Sequence, residues 1–322
     1  MNAGSAFAIE TQGLCRRFRG VAAVDGLNLC LPAGEVFGLV GPDGGGKTTT
    51  IRMLCGILDP TAGWARVAGY DTVTQASQIK RRIGYMAQRF NLYGDLSVAE
   101  NLQFFAELFQ VPRRVRRMRE ERLLEFARLV EFRKRRAAQL SGGMQKKLAL
   151  ACSLIHQPPI IFLDEPTTGV DPVSRREFWD ILTELHLEGT TVFVSTPYMD
   201  EAERCSRVGL LYRGRLTICD APERIKAMLT GEMFELRAAG LRQAEEVVSR
   251  LEGVLEIQTY GDLLHVFVDN AAAREGSLRA ALQAADVDVV GLRLMRPRME
   301  EAFVSLVRRQ MVAEQAGPVG SR

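Results

Sequence analysis

The sequence predicts an α/β protein with two domains, a large one built on a mainly parallel sheet and a small one of α+β type. Short apolar strands alternate with helical stretches between residues 36 and about 230, a pattern typical of parallel sheets. From about residue 89 to residue 158 the pattern is mostly helical, so we expect a helical subdomain inserted into the sheet domain. A chain of 322 residues is long enough for one large and one small domain.

Composition is that of an ordinary globular protein. Apolar residues make up 47% of the chain and charged residues 25%, and the formal net charge is only +3. Whole-chain charge therefore gives no reason to expect a nucleic-acid partner. Two basic runs, at 113–119 and 133–136, are interpreted either as solvated helix faces or as contacts with anionic lipid or a membrane partner. Aromatic residues for base stacking are not interleaved with them, so nucleic acid is not expected.

Cysteine usage and hydropathy predict a cytoplasmic location. The six cysteines are scattered and form no C-x-x-C pair, as in reduced intracellular proteins. No run approaches about 18 uninterrupted apolar residues, and residues 1–10 do not resemble a signal peptide. We therefore expect the chain neither to span a membrane nor to be secreted, so that any membrane role depends on a partner.

A glycine-rich loop follows the apolar strand at 36–40 and leads into a helix predicted over 47–58. It fits the phosphate-binding pattern G-x-x-x-x-G-K-[ST] in the context that this pattern requires. Glycines let backbone N–H groups face phosphate oxygens, and the helix N-terminus adds partial positive charge. Lys47 would pair with the β and γ phosphates, and Thr48 would ligate Mg²⁺. The predicted ATP-binding residues of this loop are Gly41, Pro42, Asp43, Gly44, Gly45, Gly46, Lys47, Thr48 and Thr49.

The helical insert contains a second candidate phosphate cradle. The segment 140–145 reads LSGGMQ and precedes a helical run. A serine followed by two glycines at a helix start can bind phosphate, but it can equally be an ordinary N-cap, and the residues alone leave both interpretations open.

Two adjacent carboxylates follow the next apolar strand, at 160–163. Asp164 is placed to hold the Mg²⁺ shell, and Glu165 to polarise an attacking water as a general base. Further strands at 191–195 and 208–212, with a helix at 174–188 before them, complete the predicted α/β domain, residues 7–230.

Residues 231–310 predict the small domain. A Gly-Asp pair at 261–262 predicts a tight hairpin. The order βαββαβ indicates a ferredoxin-like fold, with a final helix from about residue 298 and a flexible tail at 311–322. The predicted elements are strand 233–237, helix 243–251, strand 255–260, strand 263–268, helix 274–284 and strand 287–294.

The phosphate loop, Gln88, the LSGGMQ segment, the Asp164-Glu165 pair and the Gly-Val-Asp segment at 169–171 follow one another at suitable spacings. This arrangement resembles the nucleotide-binding domain of ABC transporters, a P-loop NTPase fold, over residues 7 to about 230. The LSGGQ-like segment is the most specific of these motifs.

The resemblance implies a role for each matching residue. Phe18 would stack on adenine, although a strand-end core residue remains an alternative. Gln88 would reach Mg²⁺ and the attacking water. Phe90, Leu92 and Tyr93 fall where the family forms a groove for the permease, with ordinary core as the alternative.

The resemblance also implies an active site shared by two chains. Ser141, Gly142 and Gly143 would contact the γ-phosphate bound by the other protomer, and Asp171 would lie at the dimer seam. One monomer alone should then hydrolyse ATP poorly. The sequence does not say whether the pair is a homodimer or a heterodimer.

Three segments resemble the ATPases of multidrug ABC-2 type exporters: the Gly-Pro-Asp start of the loop, residues 198–203 and residues 297–303. This likeness implies an Mg-ATP-hydrolysing subunit that lies on the inner face of the plasma membrane. It would energise the export of a drug-like or lipophilic compound through separate permease subunits.

The sequence departs from the family pattern at two positions. Pro197 replaces the histidine that normally bonds the γ-phosphate, and proline supplies neither an imidazole nor a backbone N–H. Asp43 stands where asparagine is more common, and we expect it to face away from the triphosphate or to bind a neighbouring donor. Slowed hydrolysis with retained binding is therefore predicted. A mainly ATP-binding regulatory subunit and a non-transport ABC ATPase remain alternatives.

Overall fold

The computed structural model describes residues 7–89 and 92–315, with the side chains of the last helix described as far as Arg309. The chain divides into two compact units between Ala221 and Pro222. Our predicted boundary at residue 230 is later than this division because the helix Pro222–Ala227 belongs to the second unit and packs on its last helix.

The first unit contains the predicted α/β sheet domain and its helical insert. Its strands are β1 (Phe7–Phe18), β2 (Val21–Pro32), β3 (Val36–Val40), β4 (Ala62–Val67), β5 (Tyr70–Asp71), β6 (Ile83–Met86), β7 (Ile160–Asp164), β8 (Thr191–Thr196), β9 (Arg207–Tyr212) and β10 (Arg215–Asp220). Its helices are α1 (Lys47–Leu54), α2 (Ala76–Lys80), α3 (Val98–Leu108), α4 (Arg113–Phe126), α5 (Gly142–Leu154), α6 (Pro172–Leu187) and α7 (Met199–Ala202), with short 3₁₀ turns at Val130–Phe132 and Ala137–Gln139.

A six-stranded sheet positions the functional residues. Its order is β10-β9-β3-β8-β7-β6, and every pair is parallel except β9 with the edge strand β10. Strands β3, β7 and β8 are buried along their whole length, as expected for a parallel sheet covered on both faces. Asp164 and Leu39 both pair with Ser195, so the loops after these three strands meet at one edge of the sheet.

A second, antiparallel sheet has the order β2-β1-β4-β5. Strands β1 and β2 are 12 residues long each, and the sequence predicted neither this length nor a separate sheet. Strands β1 and β2 form a hairpin in which Phe18 pairs with Val21 at the tip. This pairing places Phe18 at the end of the hairpin and away from the core.

Helix α1 is shorter than predicted. It ends at Leu54 instead of residue 58 because the chain turns at Gly56, which has a φ of 63°. Glycine adopts this left-handed conformation without a steric penalty and commonly ends helices.

Helices α3, α4 and α5 form the predicted helical insert around a core of their own, which includes Leu102, Leu124 and Leu148. Ser97 caps α3, and the side chain of Glu100 accepts a hydrogen bond from the Ser97 backbone N–H, which completes the predicted capping box. Several arginines of the basic runs form ion pairs within the insert, such as Arg116 with Glu107 at 3.0 Å, as on a solvated helix face.

The second unit has the predicted βαββαβ order. Its elements are α8 (Pro222–Ala227), β11 (Glu232–Ala238), α9 (Leu241–Val248), β12 (Val254–Tyr260), β13 (Leu263–Val268), α10 (Ala271–Ala284), β14 (Val289–Met295) and α11 (Met299–Gln315). The sheet order β12-β13-β11-β14 with antiparallel pairs is ferredoxin-like, and Tyr260 pairs with Leu263 across the two-residue hairpin. Residues 311–315 continue α11, so the expectation of a tail from residue 311 was wrong for these five; residues 316–322 lie outside the described residues.

Across the described ranges, 7–89 and 92–315, no helix combines the length and the apolar character needed to cross a bilayer.

Candidate nucleotide site

The loop between β3 and α1 has the backbone shape of a phosphate cradle. Gly44 and Gly46 have φ values of 75° and 106°, a region that side chains rarely tolerate. A Cβ on Gly41 would lie 2.1 Å from the carbonyl oxygen of Leu211. Glycine is therefore required at 44 and 46 for the turn and at 41 for close packing on strand β9.

Lys47 is buried at the first position of α1, with its side chain only 3% exposed. Its Nζ donates hydrogen bonds to the carbonyl oxygens of Gly41 at 2.8 Å and Pro42 at 3.0 Å. It also lies 3.2 Å from Oε1 of Glu165. The ammonium is thereby fixed at the inner side of the loop, where a triphosphate would lie.

Thr48 and Asp164 come together as the sequence predicts. The Thr48 hydroxyl donates to Oδ1 of Asp164 at 3.0 Å, and the Ser195 hydroxyl donates to the same oxygen at 2.8 Å. Burial raises the pKa of Asp164, and the two hydroxyls oppose that shift. Oδ2 of Asp164 is buried and has no hydrogen-bond partner among the described residues. An unsatisfied carboxylate oxygen beside a threonine hydroxyl fits the hard oxygen ligands that Mg²⁺ prefers.

Glu165 is held at the same edge of the sheet. Gln88 Nε2 donates to Oε2 of Glu165 at 2.9 Å, and the Glu165 backbone N–H donates to the Ser195 carbonyl at 3.1 Å. The residue has a φ of 47°, a conformation uncommon outside glycine that the surrounding contacts must hold. Nζ of Lys146 donates to the Gln88 carbonyl at 3.0 Å, and burial lowers the pKa of that lysine.

Two predicted residues of the site face solvent. Phe18 is 45% exposed at the hairpin tip, and the guanidinium of Arg16 lies 4.7 Å from its ring centroid. The core alternative for Phe18 is therefore excluded. The Asp43 side chain is 92% exposed, and its Oδ1 lies 3.9 Å from Lys47 Nζ, so the carboxylate faces solvent at the limit of ion-pair distance from that neighbouring donor.

The remaining predicted residues lie at the starts of two other helices. Ser141 caps α5 by accepting from the Met144 N–H, and a Cβ on Gly143 would lie 2.5 Å from Oγ of Ser174. Asp171 caps α6, and the N–H groups that it accepts from hold its pKa below the usual range. Within the described residues, no hydrogen bond or ion pair joins Ser141, Gly142, Gly143 or Asp171 to the cluster around Lys47.

Pro197 is half-buried directly after β8, two residues beyond Ser195. The structure adds Ser195 to the predicted site because it bonds both Asp164 and the backbone of Glu165. Its position at the end of a buried strand next to β7 was the available signal, which sequence reasoning did not use.

Comparison with protein families matches residues 24–168 to the ABC transporter family. A probable multidrug ABC transporter ATP-binding protein, YbhF of Escherichia coli, is 45% identical over 219 residues, which is 68% of this chain and 38% of the relative. The chain thus spans well under half the length of that relative.

Other relatives match along nearly their whole length. The daunorubicin resistance ATP-binding protein DrrA3 of Streptomyces coeruleorubidus is 38% identical over 93% of this chain and 95% of the relative. The Nod factor export ATP-binding protein I of Burkholderia pseudomallei is 35% identical over 94% of this chain and 98% of the relative.

Solved structures share the fold. A dimeric ATP-binding cassette in a post-hydrolysis state with ADP and phosphate has a TM-score of 0.61 at 26% identity, covering 66% of this chain and 98% of that one. The cbiO1 subunit from Clostridium perfringens, part of a transporter complex, has a TM-score of 0.64 at 25% identity and covers 77% of this chain and 96% of that one. Together with the loop, the carboxylate pair and the family match, these likenesses show that the chain is an ATPase of the ABC transporter family, similar to ATP-binding proteins named for multidrug transport and daunorubicin resistance.

Proposed function

We propose that this ATPase energises export of a drug-like or lipophilic compound through separate ABC-2 type permease subunits. One observation carries the proposal: relatives named for daunorubicin resistance and Nod factor export match the chain over more than nine-tenths of its length. The match therefore includes the second unit as well as the nucleotide domain.

The cluster around Lys47 supports binding of ATP with Mg²⁺. Thr48, Gln88 and Asp164 are the residues proposed to hold the ion, and Asp164 offers a buried oxygen without another partner among the described residues. Mg²⁺, when bound, would neutralise charge on the β and γ phosphates. Lys47 would bind the same phosphates, and Glu165 would accept a proton from the attacking water.

A two-chain active site is part of the proposal. Ser141 and Gly142 are exposed at the start of α5 and Gly143 follows them in the buried first turn, and this helix start would receive a γ-phosphate from a second ATPase chain. Asp171 would lie at the seam. The dimeric cassette among the structural relatives supports this arrangement, with either a like or an unlike partner.

An exposed aromatic surface on the insert supports a permease contact and hence a location on the inner face of the plasma membrane. Tyr93, Phe104 and Leu108 are 48%, 37% and 60% exposed, and the first two rings meet edge to face at 4.6 Å. Leu92 is half-buried against the core of the insert, and Phe90 lies outside the described residues. A cavity of about 420 Å³ is lined by Gln88, Leu92 and Gly94, among other residues.

Pro197 keeps a second candidate function open. Because proline cannot supply the missing donor, a mainly ATP-binding regulatory subunit would fit the same site. An exporter ATPase would hydrolyse ATP in repeated cycles, whereas a regulatory subunit would bind ATP with little turnover.

The test of the transport function is capture of the tagged chain from detergent-solubilised membranes. We expect an integral membrane protein to co-purify in stoichiometric amount. Substituting the exposed Leu108 with aspartate should abolish that capture, whereas the same change at Leu187, 79% exposed elsewhere in the unit, should not. Capture of ribosomes or DNA alone would show a non-transport ABC ATPase instead.

Phe18→Ala should weaken ATP binding without unfolding the protein. An aromatic ring stacked on a base contributes roughly 1–3 kcal/mol, so the ATP Kd should rise by a factor between about 5 and 160. Titration with a fluorescent ATP analogue measures this. Val21→Ala, at the other side of the hairpin tip and 72% exposed, is the matched control. Equal Kd values for both variants would contradict adenine stacking.

A further inference from the structure

Glu201 is a buried carboxylate in the exporter-like segment 198–203, and no role has been assigned to it so far. It lies in the one-turn helix α7, and it is only 1% exposed. Burying a carboxylate is costly unless every oxygen is paired, so its partners show which parts of the chain it holds.

Both oxygens of Glu201 are occupied. Oε1 accepts from the Thr167 hydroxyl at 2.6 Å and lies 3.2 Å from Nε of Arg175. Oε2 accepts from the Thr196 hydroxyl at 2.7 Å. One carboxylate therefore joins the turn after β7, the first turn of α6 and the end of β8.

Two of these segments carry the reaction. Thr167 lies two residues after Glu165, in the turn whose left-handed start is Glu165 itself. Thr196 lies between Ser195, which bonds Asp164, and Pro197. The Thr196 hydroxyl also accepts from the Tyr198 N–H at 3.0 Å, and so it bridges the proline.

The third segment is the start of α6. Arg175 lies one turn after Asp171, the N-cap at the proposed dimer seam, and its N–H donates to the Asp171 carbonyl. Its guanidinium also pairs with Asp200 and lies 4.5 Å from the ring centroid of Tyr198. A displacement of α6 would therefore be transmitted through Arg175 to Glu201.

We propose that Glu201, linked to α6 by Arg175, is a positioning residue for ATP hydrolysis that sets the turn of Glu165 and the segment around Pro197. A histidine at 197 would tie this segment to the γ-phosphate. Here the Thr196–Glu201 hydrogen bond, together with the contacts of Arg175 with Tyr198 and Asp200, orients it. The inference rests on the ATPase function. It adds that a change at the proposed dimer seam, at the start of α6, is coupled to the position of Glu165.

The primary test is Glu201→Gln, which keeps size and one acceptor oxygen but removes the charge facing Arg175 and places an amide group where a second acceptor is needed. We expect kcat to fall between about 10-fold and 100-fold, because small misplacement of reacting groups has effects of this size. The ATP Kd should stay within about two-fold and the Tm should barely change. Arg175→Gln should reproduce the loss of kcat, and the double variant should be no slower than Glu201→Gln.

Glu35→Gln is the matched control. Glu35 pairs with Arg207 at 2.9 Å and precedes β3, so it lies at the amino-terminal ends of the strands, opposite the candidate site. Its kcat should equal that of the native chain. Glu165→Gln, run in parallel, reports whether hydrolysis itself depends on Glu165.

The outcomes separate the inference from the proposed function. An unchanged kcat in Glu201→Gln, or a fall matched by loss of ATP binding or by Glu35→Gln, would overturn the positioning role. Where native turnover is below detection, backbone hydrogen exchange decides. The N–H groups of Glu165 and Tyr198 should exchange faster in Glu201→Gln than in Glu35→Gln, and equal rates would overturn the inference even if ATP still binds.

Discussion

Glu165→Gln is expected to abolish measurable ATP hydrolysis while leaving ATP binding intact. The amide keeps the shape of the side chain but cannot accept a proton from water, and a positioned general base contributes about 10²–10⁴ in rate. Glu165 is held by Gln88 at 2.9 Å and by Lys47 at 3.2 Å, so the group is fixed beside the proposed phosphate position. Removing its negative charge beside a bound triphosphate should, if anything, tighten ATP binding.

Steady-state phosphate release and ATP titration on the same preparations measure both effects. Glu35→Gln, which removes a comparable carboxylate from the opposite sheet edge, should behave as the native chain. Retained hydrolysis in Glu165→Gln would move the role of base to another residue. Loss of binding together with turnover would show that Glu165 acts in folding or in nucleotide affinity.

The parts of the fold set by local patterns were predicted from the sequence. The strand at 36–40, the hairpin between β12 and β13 and the capping box at Ser97 each depend on residues close together in the chain. Helix α1 ended early because the conformation of Gly56 is a single-residue effect that hydrophobic periodicity does not report.

The candidate site was predicted where a motif carries its own chemistry. Lys47, Thr48, Asp164 and Glu165 lie together because parallel strands end at one sheet edge. Glu201 lies in the exporter-like segment 198–203, but its proposed positioning role was missed because it depends on contacts with Thr167 and Arg175, which no local pattern reports. The separate antiparallel sheet was missed for the same reason, since the pairing of β1 with β4 is long-range.

Pro197→His is expected to speed ATP hydrolysis by about 10²–10³, the amount that a single transition-state donor typically contributes. Thr196 before it and Tyr198 after it are already fixed, so an imidazole at 197 would enter a preset segment. Binding of ATP should change little, because the added contact matters most when charge develops on the γ-phosphate.

Pro197→Ala separates the two chemical differences between proline and histidine. It restores a backbone N–H and removes the ring, but it adds no imidazole, and we expect it to remain slow. A fast Pro197→Ala would assign the effect to the backbone. If the native chain already turns over at a rate that Pro197→His does not increase, another group supplies the donor. That result would favour a fully active exporter ATPase over a mainly ATP-binding regulatory subunit. If Pro197→His instead gains the full factor, the native site is slow because it lacks this donor. Fast turnover would then need a second ATPase chain with its own histidine, or the native chain would serve as a regulatory subunit.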